Sequence, residues 1–404
     1  MSPITSNRQH LTIAVGMSGG VDSTMAACLL KRQGFDVVGV TMQIWDGSVV
    51  IPAEERRSGC YGPGEAQDLE ELRALTTRLG IRHVIIPLAT EYRQWVLGYF
   101  RREYLAGRTP NPCVMCNWKL KFGLLLDKAR AVGLVFDRFA TGHYVRVECN
   151  AAQECNTAPA RDAAHARYVL KRGLDIEKDQ SYFLYHLSQD QLRNLMFPLG
   201  ALKKTAVKAL ARELGLEHLA ERPESQDFIE CKHYGALFNA DSIRPGPIVD
   251  RAGRVLGEHK GIIYYTIGQR KGLGLGGTKA PLYVVRIDGS ANTITVAPYE
   301  DLFADRLRAA DVNWIAFDVL RAPVRMRTPL RVKAKIRQQH KEADAIVTPN
   351  DPDGHAVTVV FDQPQMAIAP GQAVVFYQDD LVLGGGTITC WNNWPSPALH
   401  SALA

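Results

Sequence analysis

Between Leu11 and Met42 the chain alternates two apolar textures. Leu11-Thr-Ile-Ala-Val15 is a short continuous run. A Gly/Ser-rich stretch follows, apolar residues then recur at helical spacing to about Gln33, and Asp36-Val-Val-Gly-Val-Thr-Met42 is a second run. That order predicts strand, loop, helix, strand. Ala66, Leu69, Leu72, Leu75 and Leu79 repeat the helical spacing and lead into a further strand, Arg82-His-Val-Ile-Ile-Pro87. Strands that alternate with helices are joined in parallel. The expectation is therefore an α/β fold with a doubly wound parallel sheet, whose ligand lies beyond the carboxyl ends of its strands.

Further along, Pro110 and Pro112 predict an extended loop over Arg108-Thr-Pro-Asn-Pro-Cys-Val-Met-Cys116, with a helix from about Asn117 to Val132. A strand is expected to end near Ala140-Thr-Gly-His143, and short helices near Ser188 to Met196 and Lys203 to Leu214. The Ala-rich stretch Cys149 to Ala166 reads as an insertion between the strands Tyr144 to Val147 and Tyr168 to Arg172. From Gly246 onward, Gly and Pro turns separate short strands, among them Ala280 to Ile287, Thr293 to Val296, Leu330 to Arg337, Val357 to Asp362 and Ala373 to Tyr377. The last hundred-odd residues read as a small β-barrel. The expected domains are 1–225, nucleotide-binding and catalytic; 226–300, a small mostly β linker domain; and 301–404, the C-terminal barrel.

Composition narrows the class without deciding it. A chain of 404 residues exceeds a single small binding module, and 46% apolar with 22% charged residues is ordinary globular usage. The formal charge of +6 permits a polyanionic partner and does not require one. Eight cysteines are too sparse for a disulfide scaffold, Met1 to His10 is polar, and no run approaches the ~20 apolar residues of a membrane span. A cytoplasmic protein with no membrane partner, working as a monomer, is expected.

The chemistry begins at Gly16-Met-Ser-Gly-Gly-Val-Asp-Ser23, between the first strand and the first helix. Glycines let the backbone close around an anion, while free N–H groups and the helix dipole attract it. A tight turn that merely uses glycine is the plain alternative. The string Gly-x-x-x-x-Gly-Lys-(Ser/Thr) occurs nowhere, which disfavours a standard γ-phosphate-transferring machine. Gly272-Leu-Gly-Leu-Gly-Gly277 imitates a dinucleotide fingerprint, but a strand follows it rather than a helix, so it reads as a loop.

Cys113 and Cys116 form Cys-x-x-Cys beside a helix start, where the dipole with Lys119 and Lys121 would favour thiolates. They are candidate nucleophiles. Structural zinc would need distant partners, and an inert buried pair is the plain alternative. Cys231, after Glu224-Ser-Gln-Asp-Phe-Ile-Glu230, could join them in space. Cys28, Cys60, Cys149, Cys155 and Cys390 read as ordinary residues.

The phosphate loop resembles that of the PP-loop ATPases, which cleave ATP between its α and β phosphates and adenylate a carbonyl oxygen. Gly107-Arg-Thr-Pro-Asn-Pro-Cys-Val-Met-Cys-Asn117, Ala140-Thr-Gly-His-Tyr144, Lys178-Asp-Gln-Ser181, Pro223-Glu-Ser-Gln-Asp227, Tyr265-Thr-Ile-Gly-Gln-Arg-Lys-Gly-Leu-Gly274, Pro370-Gly-Gln372 and Leu383-Gly-Gly-Gly-Thr-Ile388 follow in order. Together they resemble the tRNA-specific 2-thiouridylases over nearly the full length. The resemblance implies ATP contacts from Gly16, Met17, Ser18, Gly19, Gly20, Val21, Asp22, Ser23, Met42 and Gly142. It implies that Asn111, Pro112 and Cys113 face the target base, and that Cys116 is the attacking cysteine. It also implies that His143, Lys178, Asp179, Gln180, Arg337, Gln338 and Gln372 touch tRNA.

Two departures touch the chemistry. Cys113 stands where many members carry Asp, and Ile229 stands where the second catalytic cysteine is usual, with Cys231 two residues on. The reaction implied is adenylation of the C2 oxygen of the wobble uridine by ATP, with Mg2+, and then sulfur delivery from a persulfide on Cys231 or Cys113, resolved by Cys116. Its partners would be the tRNA anticodon arm and a sulfur-donor protein. Two alternatives stay open: a [4Fe-4S] cluster on Cys113, Cys116 and Cys231, and a non-catalytic tRNA-binding protein with a nucleotide switch.

Overall fold

The computed structural model describes residues 11–391 apart from 53–55, 57, 150–166, 224–226, 232, 277–279 and 317–328. The expected insertion, beyond Cys149, and Glu224, Ser225 and Gln226 lie outside the described residues. Packing groups the chain into two units, Met1–Tyr92 with Cys116–Glu230, and Arg93–Met115 with Cys231–Ala404.

In the first unit the expected parallel sheet forms. Its strands run in the order Arg82–Pro87, Asp36–Gln43, Thr12–Gly16, Arg138–Thr141, Leu195–Met196. Ile13, Ala14 and Val15 are fully buried, as a continuous apolar run in a central parallel strand requires. The helix Val21–Arg32 sets Met25, Ala26 and Leu30 into one core. It shares that core with Leu72 and Leu75 of Glu65–Arg78 and Val207 and Ala211 of Lys204–Glu213. The chain leaves Thr12–Gly16 toward one sheet edge and returns on its other side as Arg138–Thr141. Gly16 is thus paired with Val40 on one flank and Thr141 on the other. That reversal opens a crevice beyond the strand ends, and the phosphate loop begins in it.

Two helical expectations need correction. The expected helix to Met196 stops at Asn194, and Leu195–Met196 pairs instead with Phe139 and Ala140 as an edge strand. Pro198 is the reason, because in a continued helix its ring would clash with the carbonyl of Asn194, four residues back, and it has no N–H to donate there. The Cys-x-x-Cys segment is not extended as far as Cys116. Helix starts at Pro112, is wound as a π-helix over Cys116–Leu124, and becomes α-helical over Leu125–Ala131. Asn111 Oδ1 accepts the Val114 N–H at 3.2 Å, and proline suits a first helical position because it has no N–H to leave unpaired.

The second unit contains the expected barrel. Strands Phe303–Trp314, Val357–Met366, Ala343–Pro349, Leu330–Lys335, Ala373–Gln378 and Leu381–Trp391 follow around it. Pairing of Phe303–Trp314 with Leu381–Trp391 closes it. A Cβ on Gly384 would stand 2.3 Å from the Asn313 carbonyl oxygen, so the glycine run lets the seam shut. Val332, Val347, Val359, Val374 and Phe376 fill the interior beside Trp314. A separate four-stranded sheet runs Val255–His259, Gly246–Val249, Thr293–Ala297, Tyr283–Asp288. The helix Gly98–Leu105, without an expectation from sequence, packs Phe100 and Tyr104 against Tyr234 and Phe238. Gly272 to Gly276 form no helix. Among the described residues no helix is long and apolar enough to cross a membrane.

Candidate active site

In the first unit the phosphate loop is a tight turn with Gly19 at φ +77° and Gly20 at the N-cap of the first helix, where no side chain caps it. The N–H groups of that first turn therefore face the loop. Ser23 Oγ accepts from the Ser18 N–H at 3.1 Å and donates to the Gly20 carbonyl at 3.2 Å, and the Met17 N–H donates to the Val40 carbonyl at 2.9 Å. Met42 lies half-buried near the end of the adjacent strand. Gly142 closes the other side of the loop, directly against the backbone of Asp22 and Ser23.

Asp22 is the loop's carboxylate, and Lys204 Nζ meets it at 2.8 Å on Oδ1 and 2.7 Å on Oδ2. The buried Tyr144 donates its hydroxyl to Oδ1 at 2.8 Å. Gln180 fixes Tyr144 in turn, its Oε1 accepting the Tyr144 N–H at 3.0 Å while its own N–H donates to the Tyr144 carbonyl. Asp179 is buried and turned inward, where its carboxylate accepts from the Gly173 N–H, the Ser181 N–H and the Ser181 hydroxyl. Lys178 is half-buried on the same loop.

His143 Nδ1 lies 2.7 Å from Thr141 Oγ1, and the ring packs on Phe122 and Phe197. Burial first, and the Lys121 charge second, hold it well below the usual histidine range, so it is neutral. The same lysine acts on Cys116. Burial pushes the Cys116 thiol up to about 11, Lys121 pulls it down, and a Cys60 thiolate pushes it up. This corrects the expectation of a ready thiolate, because desolvation outweighs the nearby cation. Lys119 does not serve Cys116 in that way. Its ammonium lies 3.6 Å from the centre of the Trp118 ring, which stacks on His186 at 4.2 Å.

Cys60 is exposed and sits in Gly59–Tyr61, which pairs in parallel with Asp227–Ile229. Glu230 pins this junction by accepting the Gly64 N–H at 3.0 Å and donating its own N–H to the Tyr61 carbonyl.

In the second unit Cys113 is exposed, whereas Cys231 is buried with its thiol 3.0 Å from the His233 carbonyl it donates to. The segment before Asn111 rests on the turn Pro370-Gly-Gln372. The Thr109 N–H donates to the Pro370 carbonyl at 2.7 Å and Gln372 Nε2 to the Pro110 carbonyl at 3.4 Å. Gln372 is thus held against the segment that leads into Asn111 and Pro112. Arg337 Nη1 donates to the Met366 carbonyl at 3.1 Å, and Gln338 adjoins it in the turn after Leu330–Lys335. Among the described residues no three His, Cys, Asp or Glu side chains gather as a metal-binding group.

Family models match three successive stretches. Residues 11–231 match the tRNA methyl transferase HUP domain, 239–298 the tRNA methyl transferase PRC-barrel domain and 304–388 the aminomethyltransferase beta-barrel domain. The tRNA-specific 2-thiouridylase MnmA of Endomicrobium trichonymphae is 43% identical, covering 94% of this chain and 99% of its own. That of Acetivibrio thermocellus is 42% identical over 93% and 98%, and MnmA 2 of Thermoanaerobacter sp. strain X514 is 45% identical over 93% and 97%. The chain belongs to the tRNA-specific 2-thiouridylase family. A 4-thiouridine synthetase in complex with RNA and ATP superposes only loosely, with TM-score 0.32 and 17% identity over 56% of this chain and 48% of that one.

The family's motifs omit three residues that the structure adds to the site. Lys204 lies on the buried stripe Lys204, Val207, Ala211 of its helix, and a lysine at an apolar position of the 3.6-residue period was its signal. Lys121 stands five residues after Cys116, and i→i+5 π-winding turns the two toward one side, which no α-helical pattern foretells. Cys60 carries no local signal.

Proposed function

We propose that this protein uses ATP to replace the C2 oxygen of the wobble uridine in tRNA anticodons with sulfur. The reading is supported most by one run of neighbouring groups within the first unit. The phosphate loop abuts Gly142, His143 follows, and Lys121 acts on both His143 and Cys116.

In this reading the backbone of Gly16, Met17, Ser18, Gly19, Gly20, Val21, Asp22 and Ser23 holds the phosphates of ATP, with Met42 and Gly142 bordering the nucleotide. Mg2+ enters with those phosphates, and Asp22 is the loop's one carboxylate. The uridine C2 oxygen attacks the α-phosphorus and pyrophosphate leaves, so that AMP becomes the leaving group at C2. The base must be out of its stack to reach the loop. Asn111, Pro112 and Cys113 face it, and His143, Lys178, Gln180, Arg337, Gln338 and Gln372 meet the tRNA backbone. Asp179 acts through the loop it holds.

A persulfide on a second cysteine, Cys231 or Cys113 in the reading from sequence, supplies the sulfur. Its outer sulfur attacks C2 and AMP leaves; Cys116 then attacks the inner sulfur, breaking the S–S bond to release the 2-thiouridine and leaving a disulfide for a cellular dithiol to reduce. A sulfur-donor protein reloads the persulfide. In this reading no step runs through a cluster. Methyl transfer, named in two of the matching family models, would leave the phosphate loop without a use.

Nucleoside analysis of tRNA from a deletion strain tests the reading. Loss of wobble 2-thiouridine, restored by the wild-type gene and not by Cys116→Ser, is expected. Persistence of the modified base would end the proposal.

A further inference from the structure

Lys204 is in an unfavourable place for its charge. It opens the helix Lys204–Glu213, where the dipole is positive, and its side chain is 8% exposed. Burying an ammonium there costs several kcal/mol before any partner is counted, on the order of the ion desolvation penalty. Nor is the resulting ion pair an efficient way to gain stability, since apolar side chains in such positions commonly do as well. Its position makes sense through Asp22.

Asp22 is the second residue of the first helix, so a full negative charge stands where an incoming anion would bind. Two like charges a few ångströms apart at the effective dielectric of a protein surface repel strongly. Lys204 meets both Asp22 oxygens, at 2.8 and 2.7 Å, from a helix 182 residues away in sequence. Asp175 holds that helix start by accepting the Lys204 N–H at 2.8 Å, and Tyr144 adds a neutral donor to Asp22 at 2.8 Å.

We propose that Lys204 is a positioning residue that gives the phosphate loop its capacity for a polyanion by cancelling the charge of Asp22. It thereby does for this loop what a Walker lysine does by direct contact, without standing in the motif itself. The proposal rests on the ATP reading above and specifies which part of the nucleotide depends on Lys204. The pyrophosphate portion depends on it strongly and the adenosine portion hardly at all.

The test is calorimetric binding of inorganic pyrophosphate, ATP and adenosine to the full-length protein with a chelator present, so that no divalent cation takes over the screening. Lys204→Met is expected to weaken pyrophosphate and ATP about tenfold or more and adenosine less than about twofold. The double variant Asp22→Asn with Lys204→Met is expected to return pyrophosphate to within about threefold of wild type, because the repulsion is gone along with the cation. A double variant as weak as Lys204→Met would overturn the proposal in favour of direct contact. Adenosine weakened in parallel would overturn it in favour of a purely structural role. A wild-type protein that binds none of the three would sink the nucleotide reading and this proposal together, an outcome visible before any variant is made.

Discussion

Gly142 stands so close to Asp22 that a Cβ on it would lie 2.6 Å from the Asp22 carbonyl carbon. Backbone cannot yield there as the end of a flexible side chain would. Gly142→Ala is therefore expected to push the first helix away from the strand Arg138–Thr141 and to weaken ATP at least about tenfold by calorimetry. An overpacked site typically costs 1–3 kcal/mol. Circular dichroism should still show folded protein, and unchanged ATP affinity would refute the contact.

Cys116 should be slow toward alkylating agents at neutral pH. With its thiol pushed up to about 11, only about one part in a thousand is thiolate at pH 8. Its rate with iodoacetamide, followed by peptide mass spectrometry, should rise about tenfold per pH unit from 8 to 10. Lys121→Met removes the cation that lowers the value, so the rate at each pH should drop. A rate that levels off below pH 9 would contradict this.

Half-buried histidines with lowered pKa values make stability fall toward acid. Burial and the Lys119 charge lower His186 to about 3, whereas the unfolded chain takes up that proton near 6.5. The unfolded state thus binds more protons between those values. The contribution is complete above about pH 6.5 and is lost as pH falls toward 3, by at most about 1.4 kcal/mol per unit. Thermal melts at pH 7 and 5 should show a smaller loss for His186→Gln than for wild type. Equal losses would mean that the ring already titrates normally.

Closure of the barrel should be sensitive at its glycine seam. Gly384→Val sets side-chain atoms against the Asn313 carbonyl and Trp314, and is expected to lower unfolding stability by roughly 1–3 kcal/mol in denaturant titration. A Cβ at the exposed Gly253 turn meets no atom within 4 Å, so Gly253→Asn, which tolerates its φ of +82°, should cost less.

The alternation of apolar textures foretold the parallel sheet and the barrel because both rest on short-range periodicity. The phosphate loop was legible because its glycines, its position after a strand and its helix coincide in the eight residues Gly16 to Ser23. What stayed hidden depends on distant contact. Lys204 meets Asp22 across 182 positions, the pairing of Cys60's strand with Asp227–Ile229 spans a similar separation, and the π-winding after Met115 has no compositional mark. The thiol of Cys116 shows the same limit in its energetics. Neighbouring lysines are visible in a sequence, whereas the desolvation that outweighs them is a property of the packed interior.

The stretch Arg93–Met115 is grouped with residues far downstream, and its Phe100 and Tyr104 rings rest on Tyr234 and Phe238. A ribosome that has made only the nucleotide-binding portion has therefore produced that stretch without its aromatic counterparts. Until synthesis passes Phe238, greasy surface stays bare on the nascent chain. Truncated forms ending near Glu230 should clump rather than act as a free-standing ATPase, and any dissection by gene truncation has to keep or remove Arg93–Met115 together with Tyr234 and Phe238.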